Sequence, residues 1–418
     1  MTDGASIWRN RDFRRFFSGQ FVTNAGDSLY TVAVLWVAHQ LTGSTVVTGA
    51  LNAILLLPWL LQILAGPFVD RLHLKWVLVG SQVAQGVVVL VLPLAAVTGH
   101  LTVGVLFAVV PFLMVASLLM APMETAVLPR IVADGRLSNA NSALATVTLG
   151  LDMVFDALGG AFVAYVGTTA LFLLDSGTFA VAAALFAGIT IAAPDDTDGD
   201  GDDPSLRSVL DSYADDVREG IDVLRGTVFV ELVLTTAVAN FATGVTLAIL
   251  PAFGDRLGGA LFYGLMLGAL GIGRLVGSVV GPYFEGVPYG LFLLSQGLGA
   301  ACWLAAALAP SPVLAVVLFG LAWIPAGASG VLTSTLNQRV FPADLLGRVS
   351  ATKGTASGAT LPLGSLLGGF VAAVLGVRTT MALAASGFAF TAVYVLLRPN
   401  LRRLPAVGDA DPSDFGVE

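Results

Sequence analysis

The chain has 418 residues, of which 56% are hydrophobic before its 48 glycines are counted, and only 11% are charged. A mean hydropathy of +0.86, set against the roughly 25% charge of a soluble chain, excludes a soluble two- or three-domain protein and points to an all-α integral membrane protein. The net charge of −8 describes water-exposed segments only: 11 of the 28 acidic residues fall between Asp195 and Asp222 and four in the last ten positions.

A span needs about 20 mostly apolar residues, so charge-free runs divided at turn signals give the elements. The first expected helices cover 14–38, 45–67, 76–97, 103–126, 139–165 and 168–192. The first of them is the expected insertion signal, since Trp8-Arg9-Asn10-Arg11 opens no cleavable leader. Trp76 to Met123 holds no charged residue and is broken only at Thr98-Gly99-His100, which reads as a helical hairpin. After 193–227 a second set is expected at 228–252, 260–283, 287–309, 312–336, 349–375 and 378–397. Its own charge-free run, Gly286 to Gln338, breaks at Ala309-Pro310-Ser311-Pro312.

Twelve spans place both termini on one side, and the basic residues test the count because they favour cytoplasmic loops. On this topology 17 of the 20 lysines and arginines are cytoplasmic; Arg256 and Arg378 fall outside and Arg274 lies within a span. The expected organisation is a six-helix bundle over 1–192, a cytoplasmic acidic linker over 193–227, a second bundle over 228–398 and a cytoplasmic tail over 399–418. Within the linker, 194–203 is too polar to pack. Leu206, Val209, Tyr213, Val217, Ile221 and Leu224 then recur at helical spacing, which predicts an amphipathic helix on the cytoplasmic surface.

The halves repeat one another. Gly66-Pro67-Phe68-Val69-Asp70 corresponds to Gly281-Pro282-Tyr283-Phe284-Glu285, and Gly159-Gly160 with Gly167 corresponds to Gly368-Gly369 with Gly376. Phe13 and Asn24 likewise map onto Phe229 and Asn240. Two like-oriented bundles joined by a linker suit a transporter that opens alternately to each side.

The loop Gly66-Pro67-Phe68-Val69-Asp70-Arg71-Leu72-His73-Leu74-Lys75 resembles the signature of the major facilitator superfamily. Gly26-Asp27, Leu41-Thr42-Gly43-Ser44, Leu128-Pro129-Arg130-Ile131-Val132, Asn139-Ala140-Asn141-Ser142 and Gly347-Arg348-Val349-Ser350 are similar to its macrolide-efflux and enterobactin-exporter branch. The resemblance runs from about Phe13 to Arg398 and implies the major facilitator fold. It also implies gating by Gly66, Asp70, Arg71 and Lys75, with Asp70 docking at the N-terminus of the eleventh helix. A helix N-terminus stabilises a carboxylate through its dipole. Two departures separate the chain from drug antiporters of the superfamily. Asp156 stands where their fifth helix carries Pro, and the fourth helix lacks a membrane-embedded Arg.

An ionisable group within a span costs about 2.5–3.5 kcal/mol or more, which marks it as a functional candidate. Asp27, with Gln20 and Asn24 on the same helical face, is the leading candidate to couple transport to a proton or Na+. Asp152 and Asp156, four residues apart, share a face and suit a shared proton or a bound cation, unless Asp156 is simply hydrated near the outer end. Glu124 either meets substrate or pairs with Arg130. In the second half, Asn240, Arg274 and Lys353 are cavity candidates. Arg274 and Lys353 have the sign to balance acids across the bundles, although Arg274 also adjoins the small-residue face Gly273, Gly277 and Gly281, where local carbonyls can hold it. Trp36, Trp59, Trp303 and Trp323 either stack on substrate or pack.

Enzyme chemistry finds no support. His39, His73 and His100 lack metal-ligand spacing, the single Cys302 excludes a multi-cysteine site, no phosphate-binding motif occurs, and no basic patch for nucleic acid is present. No cofactor or metal is expected. The expected function is secondary active transport by alternating access in the cell membrane, as a monomer. The resemblance makes this export of a small amphipathic or hydrophobic compound by proton antiport. The alternatives are an importer or cation symporter on the same fold, and a non-transporting sensor or partner-binding subunit that uses the linker.

Overall fold

The computed structural model describes residues 7–69, 73–118, 120–191, 215 and 218–417, without the side chains of 59, 60, 62–69, 121, 134, 145–153, 343 and 344. Regular structure among these residues is helical, apart from one isolated bridge between Pro288 and Ala406. The long helices are α1 (Arg11–Thr42), α2 (Thr45–Val69), α3 (Leu74–Val97), α4 (Val103–Ile131), α5 (Leu137–Tyr165) and α6 (Thr168–Ala187). They continue with α7 (Phe229–Leu257), α8 (Ala260–Phe284), α9 (Tyr289–Leu308), α10 (Pro312–Val340), α11 (Leu345–Leu375) and α12 (Val377–Leu397).

Among the described residues, nine of these helices are long and apolar enough to cross a membrane. The apolar lengths described within α2 and α5 are shorter, Thr45–Pro58 and Val154–Tyr165. The first helix, α1, is kept less apolar by Gln20, Asn24, Asp27 and Ser28 along its length. A hydrocarbon surroundings also accounts for large side chains such as Leu298, Val313 and Val374 standing exposed, since lipid rather than water covers such groups in a spanning helix.

Three of these helices are interrupted where a proline follows. Pro93, Pro325 and Pro362 have no amide to donate one turn back. The helical hydrogen bonding is interrupted just before them, at Leu90, Trp323 and Ala359. Thr102 and Ser311 cap the starts of α4 and α10 by accepting the amides of Val105 and Leu314, as hydroxyl side chains at that position do.

The chain divides into two compact units, Met1–Leu41 with Leu57–Asp211, and Thr42–Leu56 with Ser212–Glu418. In the first, Phe13, Phe16, Leu74, Leu78, Met123, Val127 and Phe186 form a buried core joining α1, α3, α4 and α6. In the second, the first half of α2 lies among α7 and α11. The Thr45 hydroxyl donates to the Gly369 carbonyl at 2.8 Å, that of Thr48 to Ala248 at 2.7 Å, and Asn52 Nδ2 to Ser365 Oγ at 2.9 Å. Gly49 permits this approach, because a Cβ there would stand 2.6 Å from the Ser365 carbonyl oxygen.

The internal repeat has a backbone counterpart. Gly167 before α6 and Gly376 before α12 adopt nearly the same left-handed geometry, with φ of 92° and 83°, a region glycine enters without a Cβ penalty.

The chain's last segment is folded. Leu401, Leu404, Val407 and Phe415 are buried against Leu224, Phe229, Tyr289, Leu336 and Phe341. Phe415 stacks on Phe229 at 5.4 Å, the Val228 amide donates to its carbonyl at 3.0 Å, and Arg339 donates to the Gly408 carbonyl at 2.9 Å. The described end of the linker, 218–224, is helical and joins the same unit, with Arg348 paired to Glu219 at 2.7 Å and Gly220 against Thr352. The acidic stretch 194–203 lies outside the described residues.

Candidate functional site

Helix α1 is the spine of the first unit's polar site. Helical spacing sets Gln20, Thr23, Asn24, Asp27 and Tyr30 on one side, and each faces a different neighbour. Gln20 is buried and donates its amide to Glu124 on α4 at 3.0 Å. Glu124 therefore takes its hydrogen bond from α1, and it makes no ion pair with Arg130 among the described residues. Thr23 donates to Gln82 on α3 at 3.1 Å, and the Asn24 amide turns back to the Gln20 carbonyl at 2.7 Å.

Asp27 is exposed one residue beyond Gly26, which is buried. A side chain at Gly26 would collide with Thr178 and Asp175 of α6, so the missing Cβ is what lets α1 lie against α6. Asp175 is 1% exposed and lies within electrostatic reach of Asp27. Tyr30 is likewise buried, within reach of both acids, and its hydroxyl has no partner among the described residues. The sequence reading singled out Gln20, Asn24, Asp27 and Glu124 and passed over Asp175. The signal was present, because Asp175 is the only charged residue in Thr168–Ala187.

The other acids of this unit are less informative. Asp156 is half-buried on α5, and the Asp152 side chain lies outside the described residues. So do Asp70 and Arg71 of the gating loop and the surroundings of Gly66. Lys75, at the start of α3, holds its ammonium 5.9 Å from the Trp76 ring.

In the second unit the polar side chains form a ladder on α10. Ser329, Thr333 and Asn337 follow at four-residue intervals on one face. Gln296 of α9 donates to Ser329 at 2.8 Å, the Tyr289 hydroxyl lies 2.6 Å from that of Thr333, and Lys353 of α11 donates to Asn337 at 2.6 Å. Lys353 also stands 4.3 Å from the centre of the Phe229 ring, whose negative face attracts a cation. Asn240 ties α7 to α11 through the Ser357 carbonyl at 3.0 Å.

Arg274 is exposed on α8. The neighbouring Gly273 and Gly277 pack backbone to backbone against Gly320 and Ile324 of α10, so the small-residue face serves close helix packing. Trp303 and Trp323 are buried with Phe319 and Phe388 in one aromatic cluster, their rings 5.2 Å apart. They pack.

A family model described as transmembrane secretion effector matches residues 3–415. The chain belongs to that family. No protein of curated function matches it by sequence. Among solved structures, this chain is similar to a bacterial homologue of the human lysosomal transporter Spinster in its occupied inward-facing form. That match has a TM-score of 0.71 at 13% identity and covers 99% of each chain. The nucleoside transporter NupG gives 0.66 at 12% identity, over 92% of this chain and 98% of that one. A bacterial homologue of the iron transporter ferroportin gives 0.62 at 16%, over 93% and 100%. The fold is that of major facilitator transporters, and the proteins matched are membrane transporters rather than enzymes.

Proposed function

We propose that the chain is a secondary active transporter of the cell membrane that exports a small amphipathic or hydrophobic compound in exchange for protons. It works as a monomer by alternating access, with both termini in the cytoplasm. The observation that carries this reading is the polar face of α1, which bears the exposed Asp27 and the Gln20–Glu124 pair. An acid retained in a span despite its cost is a default proton or ion site. The family's description as a secretion effector and the resemblance to the efflux branch support the outward direction. The bias of basic residues supports the orientation.

Asp27 is the coupling residue, and Gln20, Asn24 and Glu124 meet the substrate. Gly66, Asp70, Arg71 and Lys75 act as the gating loop, Asp152 and Asp156 as auxiliary acids, and Asn240, Arg274 and Lys353 contribute from the second bundle. Purified protein in liposomes, challenged with an amphipathic cationic dye such as ethidium under an imposed pH gradient, tests the reading. Wild type accumulates the dye against its gradient and Asp27→Asn does not, while still binding it. An Asp27→Asn protein that concentrates dye as well as wild type removes Asp27 from the coupling role.

A further inference from the structure

The carboxyl group of Asp175 is the most unusual buried group in the first unit. It is 1% exposed and lies in the middle of an apolar helix, and its Oδ2 has no hydrogen-bond partner among the described residues. Its Oδ1 fares little better. The Thr178 hydroxyl is 3.3 Å away, but that hydroxyl's single hydrogen is already directed to the Asp175 backbone carbonyl at 2.7 Å.

Among the described residues the surroundings supply no cation. Asp175 is the only charged residue of α6. Helix α3, packed along α6, contributes the amides of Gln82 and Gln85 and the Gly86 carbonyl, to which Ser176 donates at 3.0 Å; its one charged residue, Lys75, sits at its start. Helix α5 carries Asp152 and Asp156, and α1 contributes Asp27 and Tyr30. Of these, Asp27 is the charged group that acts on Asp175. A buried carboxylate near a second carboxylate and with no base among the described residues is strongly disfavoured. A bound proton removes that charge.

We propose that Asp175 is a proton-binding site of this protein, filled and emptied through Asp27. Asp27 is exposed and takes a proton from water. The O–H bond at Asp27 then breaks as one forms at Asp175 Oδ2, so Asp27 regains its charge and Asp175 becomes neutral. Release runs the same steps backwards, and no other reactant is consumed. Gly26 lets α1 and α6 pack closely beside the two acids, and the Tyr30 hydroxyl, unpartnered among the described residues, is a hydrogen-bonding group within electrostatic reach of both. The assignment rests on the proton-coupled reading above and extends it from one surface acid to an acid pair with an inner store.

The test needs no substrate. Infrared difference spectra between high and low pH, taken on the full chain in liposomes, should show a protonated-carboxyl C=O band that titrates in wild type. The band should vanish in Asp175→Asn, move in Asp175→Glu, and persist in Asp27→Asn with slower appearance after a pH jump. A band of wild-type size in folded Asp175→Asn overturns the assignment. So does a band that responds to Na+ at constant pH, which makes the site a Na+ site. Where both variants fail to fold, labelling of the wild type by a hydrophobic carbodiimide, which reacts with protonated carboxyls, replaces them. Modification at Asp175 that increases as pH falls supports the site, and an unmodified Asp175 overturns it. A wild type that moves no ethidium under a pH gradient sinks the export reading and leaves the infrared result to decide Asp175 by itself.

Discussion

In the second unit the ammonium of Lys353 is held by Asn337 and by the face of Phe229, whereas in the first unit the carboxyl of Asp175 keeps one oxygen bare. The contrast extends to their neighbours. Lys353, Tyr289 and Gln296 each reach a rung of α10, and Thr48 and Asn52 are bonded to α7 and α11. The chain's own last residues seal one end of that unit with Phe415. In the first unit Gln20 donates to Glu124 and Thr23 to Gln82, but Asp175 Oδ2 has no partner among the described residues. A polar group bonded between two helices holds them together. A buried acid without a donor is costly in the empty state and gains from binding one. The polar groups of the second unit thus bind helices together, and the acids of the first are the ones proposed above for proton chemistry.

The largest effect on that contrast comes from removing the seal. Phe415→Ala takes a fully buried ring off Phe229 and should destabilise the second unit by about 3–5 kcal/mol, the usual range for a buried Phe→Ala. A lowered melting temperature in detergent and rapid proteolysis near Leu404 would report it, and an unchanged protein would mean that the last segment is not part of the unit's core. Gly26→Val attacks the other side. Its side chain must force α1 off Thr178 and Asp175, at about 1–3 kcal/mol for overpacking, read as lost stability and lost dye transport together. Full tolerance would show that α1 and α6 do not approach closely enough to join the two acids.

Thr48→Val is a finer cut, because it keeps the shape and removes one hydroxyl bonded to the Ala248 carbonyl. It should cost about 1 kcal/mol in thermal unfolding. No change would indicate that the bonds of α2 to α7 are not cross-links. The smallest effect is electrostatic. The hydroxyl and amide of Ser413 donate to Asp411 at 2.6 and 3.0 Å and hold its carboxyl below the usual carboxylate range. A lowered value in the folded state means the stabilisation is present above the ordinary carboxylate range and fades as pH falls through the folded value. Protease protection of the last segment should weaken over that acidic interval, and Asp411→Asn should flatten the dependence.

Much of the helical layout is legible in the residues, because composition and turn signals act locally. The expected helices at 45–67 and 103–126 appear as Thr45–Val69 and Val103–Ile131, and the paired Gly167 and Gly376 turns sit where the repeat places them. The α1 stripe is also local, since Gln20, Asn24 and Asp27 are spaced by one helical period. Asp175 is not legible as a site in that way. It has no polar neighbour one turn away except Thr178, and what makes it special is Gly26 on another helix, which allows contact without leaving a motif. The ladder on α10 was missed for the same reason, because Ser329, Thr333 and Asn337 look like ordinary helix surface until Gln296, Tyr289 and Lys353 arrive from other helices. In the last segment Leu401, Leu404, Val407 and Phe415 sit in a short stretch broken by Pro405 and Pro412, too short to read as a packed element, so their joint burial follows from tertiary packing.

The division of labour is tested most directly by following protons while the dye moves. In liposomes loaded with a pH indicator, an imposed ethidium gradient should drive proton movement in the opposite direction with wild type. The same gradient should drive none with Asp27→Asn or Asp175→Asn. Proton movement of wild-type size in both variants would contradict the account, because the acids of the first unit would then have no part in coupling.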